Sequence, residues 1–131
     1  MGVRVALTLR PVDIEGPGRW RWLLLDDAGN PMADHEVDLD VSSAEYRAFC
    51  DLYGYVERNR VLDDRVGSET AIVDRVGRWI GERVFGTPIG HELTGTVRVE
   101  VPAEAEFLVA RPLEIAHVDG VPLARRGVTL V

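Results

Sequence analysis

The spacing of apolar residues changes twice along this chain, and those changes limit the folds it can adopt. Val3, Val5, Leu7 and Leu9 alternate with Arg4, Ala6, Thr8 and Arg10, the period-two pattern of a half-buried strand. Pro11 is expected to end that strand, and Glu15-Gly16-Pro17-Gly18 carries turn chemistry. Arg19 to Leu25 reads as a second strand, rich in tryptophan and leucine. Asp26 to Asn30 makes a tight reversal in which Gly29 and Asn30 tolerate positive φ. Met32 to Leu39 follows as a third strand with Val37 and Leu39 inward. Three strands joined by short turns form an antiparallel meander over residues 1–40.

The period then becomes helical. Ser42 is a good N-cap, and Glu45 three residues later completes a capping box. Tyr46, Phe49, Cys50, Tyr53 and Val56 recur on one helical stripe, with Gly54 costing about 1 kcal/mol against alanine. Arg58 to Asp64 is a polar break. A second helix is expected from near Ser68 to Phe85, with Ile72, Val73, Val76, Trp79, Ile80 and Val84 as its apolar face. Gly77 and Gly81 lie one turn apart, which predicts a strand packed closely against them. Gly86 stands as a C′ residue, and Pro88 is expected to block continuation.

Alternation returns at Thr96 to Val101, with Val97, Val99 and Val101 inward. Phe107 to Ala110 is apolar throughout and reads as a central strand buried on both faces. Pro112 opens a short helical turn through Leu113, Glu114 and Ile115, Asp119-Gly120 turns the chain, and Val128 to Val131 reads as a last strand. The expected fold class is mixed α+β in a single domain: a meander over 1–40, a helical pair over 42–86 and a β-rich segment over 96–131.

Composition narrows the function classes. The net charge of −7, with no basic run, opposes binding to a phosphate backbone, so no nucleic-acid partner is expected. All fifteen basic residues are arginine, and lysine and glutamine are absent, a codon bias of GC-rich genomes. The longest apolar runs, such as Trp22 to Leu25, are too short to span a bilayer, and Met1 to Arg10 lacks the apolar block of a signal peptide. No membrane partner is expected, and a cytoplasmic location follows by default.

The chemistry-bearing residues are sparse. Cys50 is the single cysteine; on an apolar helix face it reads as a small, inert, buried hydrophobe. His35, His91 and His117 share no ligand spacing on one helix, so no metal or other cofactor is expected. The carboxylates Asp26-Asp27, Asp38 with Asp40, Asp63-Asp64, and Glu104 with Glu106 lie mostly beside turns, where solvation and capping account for them. Glu114 sits in an apolar stretch; burial would require a partner, and Arg111 is near in sequence. His117 with Glu114 is the least implausible acid–base pair for an enzyme reading. Trp20 with Trp22 and Tyr53 with Tyr55 are read chiefly as core, with an interaction patch as the alternative.

Two stretches resemble a known family. Trp79-Ile80-Gly81-Glu82-Arg83-Val84-Phe85-Gly86 is similar to the helix preceding the first core strand of CHAT domains, relatives of the caspase-like cysteine peptidases. Phe107-Leu108-Val109-Ala110-Arg111-Pro112-Leu113-Glu114-Ile115 resembles that family's buried strand and the turn after it. Val121-Pro122-Leu123-Ala124 and Val128-Thr129-Leu130-Val131 resemble the run into its next core strand. The resemblance covers roughly residues 68–131. It implies a caspase-like α/β sheet whose catalytic histidine and cysteine would lie beyond Val131, so no catalytic residue is assigned here. The expected function is a non-catalytic scaffold or regulatory N-terminal portion of a CHAT-type protein. A free-standing protein-interaction module and an enzyme with an unrecognised acid–base site are the alternatives. Expected partners are another protein, the remaining C-terminal half of such a domain, or a second copy held through an exposed strand edge at Val128 to Val131.

Overall fold

Strands β1 (Val5–Gly16), β2 (Arg19–Leu25) and β3 (Pro31–Asp38) form the expected antiparallel meander in the computed structural model, which describes residues 5–61 and 63–131. Val3 and Arg4, at the start of the first alternating stretch, lie outside the described residues. The β2–β3 reversal is held by the Asp26 carboxylate, which accepts from the N–H groups of Ala28 and Asn30, while Gly29 takes φ +84°.

β1 does not stop at Pro11, which pairs with Trp22 in the middle of the strand. The Leu9 carbonyl accepts from the Glu100 N–H on the neighbouring strand side, and peptide groups alternate along a strand. The Pro11 nitrogen therefore faces that same side, beyond the last paired residue, where no ladder bond is lost.

The helical stretch differs from the expectation in its details. Asp40 takes both the N–H and the hydroxyl of Ser42, at 3.0 and 2.6 Å, so Ser43 caps α1 (Ala44–Cys50) instead. Glu45 closes no capping box on Ser42; its carboxylate pairs with Arg75 on the facing helix. Asp51 ends α1 and caps α2 (Leu52–Asn59) through the Gly54 N–H, breaking the single stripe and leaving Tyr53 79% exposed. Asp64, not Ser68, caps α3 (Arg65–Trp79). The helix then widens into a π-helical segment, Ile80–Phe85, and ends at Gly86 with φ +77°. Pro88 does not block the chain. The turn at Gly86 places it in the first turn of a new helix, α4 (Gly86–Glu92), where a missing N–H costs nothing.

β4 (Thr96–Val99) runs parallel to β1, and β7 (Thr129–Leu130) runs parallel to β4, giving a sheet of order β3-β2-β1-β4-β7. β4 ends at Val99, so Val101 is 40% exposed rather than inward. Residues Ala103–Ala110 form a 3-10 segment kinked at Ala105, not a central strand; Ala105 and Leu108 are buried, while Val109 is 76% exposed. Both sides of β4 are already paired, so the sheet interior has no place for that segment. A second 3-10 turn covers Leu113–Ile115, as expected after Pro112. The hairpin β5 (His117–Val118) and β6 (Val121–Pro122) turns at Asp119-Gly120, both with positive φ, and a third 3-10 turn, Leu123–Arg126, leads into β7.

One face of the sheet and the helices enclose the core. Leu9, Trp20, Trp22, Leu24 and Val37 meet Phe49, Val76, Ile80, Val84, Phe85 and Ile89, all essentially inaccessible. Trp20 and Trp22 are thus core residues, edge to face at 5.7 Å. The opposite sheet face carries charge, including the Arg10–Glu100 pair between β1 and the end of β4 and the Arg21–Asp34 pair between β2 and β3.

Candidate functional site

The glycines of the helical layer form the bed of one candidate site. A Cβ on Gly77 would fall on the carbonyl of Ile115, and one on Gly81 on the carbonyl of His117. One on Gly90 would come within 3.2 Å of Val118. The expected close packing of a strand is present at Gly81, where the strand is β5, whereas Gly77 meets the 3-10 turn before it and the His117 ring. Between the hairpin and this helical face lies a cleft of about 190 Å³ lined by Arg78, Glu82, Thr87, His91, His117 and Asp119.

Both histidines of this cleft are engaged with carboxylates. His91 Nε2 contacts the Asp119 carboxylate at 3.0 Å, and His117, with 10% of its side chain exposed, lies 3.9 Å from Asp74. Both contacts join the hairpin to the helical layer. His35 is elsewhere and structural: its Nε2–H donates to the Arg83 carbonyl at 3.0 Å, tying β3 to the π-helical segment. No cluster of three or more metal-ligating side chains occurs among the described residues.

Glu114 does not join His117. It is exposed, and it lines a different groove. Arg111 does not pair with Glu114 either. Its guanidinium lies over the rings of Phe49 and Phe107, at 5.6 and 5.9 Å, and donates to the Cys50 carbonyl at the end of α1. Cys50 is half-buried rather than buried. Burial, then its hydrogen bond with Cys50, pushes the Tyr46 hydroxyl above its usual pKa.

The second candidate site is the open side of β7. A groove of about 380 Å³ there is lined by apolar residues that include Val101, Val109, Leu130 and Val131, and by Arg111 and Glu114. Val101, Val109 and Val131 are 40%, 76% and 59% exposed. The Thr129 N–H bonds to the Gly95 carbonyl and the Val131 N–H to the Val97 carbonyl, both at 2.9 Å. Leu130 therefore turns its own N–H and carbonyl away from β4. The run Val128 to Val131 reads as a strand in the sequence, and β7 falls within it, but nothing in that run says which peptide faces outward. Val109 escaped notice because its four-residue apolar run suits a buried strand as well as it suits this helix.

No protein-family model, curated protein or solved structure matches this chain. No helix among the described residues is long and apolar enough to cross a membrane.

Proposed function

We propose that this chain is a non-catalytic scaffold module that works through the open β7 edge, as the N-terminal portion of a CHAT-type caspase-like protein would. The observation that carries this reading is the parallel run β1-β4-β7, which ends at β7 with an outward-facing peptide and an uncovered apolar groove. Parallel strands are ordinarily buried inside a larger sheet, and an apolar open edge is a template for a further strand. Glu114 and His117, the least implausible acid–base pair of the sequence, line different depressions, which supports a non-catalytic reading.

The 3-10 helix at Ala103–Ala110 favours a second reading, because the resemblance implies a buried strand over Phe107–Ala110. On that reading the chain is a free-standing interaction module with the same docking edge. Mass spectrometry of the native polypeptide separates the two. The CHAT-type reading expects a species heavier than 14.5 kDa, whose sequence after Val131 reaches a histidine-bearing turn and then a cysteine. A native polypeptide ending at Val131 overturns it in favour of the second.

A further inference from the structure

We draw no further inference here: the strongest candidate, the cavity of about 350 Å³ where the end of β3 meets α1 and the π-helical segment, rests on the acidic cluster of Asp38, Asp40 and Glu45, and no second observation among the described residues points to a ligand there.

Discussion

The meander and the segment from Thr96 to Val131 belong to one sheet but are held in different ways. The meander consists of long neighbouring strands joined by tight turns, and β2 alone places Trp20, Trp22 and Leu24 in the core. The C-terminal segment has strands of two to four residues separated by 3-10 turns, and much of it rests on the glycine-lined face of α3, the π-helical segment and α4. Their outer edges differ in the same sense. β3 presents Asp34, Glu36 and Asp38 and begins at Pro31, all of which discourage a further strand, whereas Thr129 and Leu130 of β7 carry no charge. One region is stabilised by its own pairing and made inert at its edge. The other depends on a surface built elsewhere in the chain and remains open.

The largest expected effect lies in the meander. Trp22→Ala removes a fully buried indole and is expected to cost about 3–5 kcal/mol in urea unfolding. A loss under about 1 kcal/mol would mean that the meander is not the anchoring half.

Gly81→Ala sharpens the contrast, because two effects oppose each other there. Helix propensity alone favours alanine by about 1 kcal/mol, while the new Cβ would meet the His117 carbonyl, an overpacking cost of about 1–3 kcal/mol. Net destabilisation is expected, with faster amide exchange in β5 and β6 and little change in β2. A stabilised variant with unchanged hairpin exchange would show that the glycine bed is dispensable.

The smallest effect joins the two regions. Arg10 on β1 hydrogen-bonds the Glu100 carboxylate just past β4, at 2.7 Å, and holds it below the usual carboxylate range. The group's folded pKa is depressed, so its contribution is present above the unfolded value of about 4.3 and is lost as pH falls through the lower folded value. Melting temperatures of the wild type and Glu100→Gln, followed from about pH 6 to about pH 2, are expected to converge at the acid end. A constant difference across that range would remove the pair from the account, and added salt is expected to shrink the difference at neutral pH.

What could be read in advance follows the same division. The alternation of β2 and β3, the Asp26 turn and the glycine pair at 77 and 81 each carried enough local information to be placed correctly. The helix caps fall one to four residues from the serines that the spacing indicates, because Asp40 engages Ser42 and leaves Ser43 to cap α1, while Asp64 takes the cap of α3 ahead of Ser68. At the candidate edge, the strand from Val128 to Val131 was legible and its outward peptide was not. Glu114 and His117 are three residues apart in sequence, yet the turn between them sends one to the β7 groove and the other to the glycine-lined cleft.

By itself, then, the sequence determined the α+β class, the meander and the glycine bed, because period, turn residues and the missing Cβ act within a few residues of themselves. Tertiary structure decided that Phe107–Ala110 coils rather than extends, that Arg111 lies over Phe49 and Phe107, and that Leu130 faces outward. Those outcomes depend on which neighbours of β4 are already taken and on where α1 ends, and residues far apart in the chain set both.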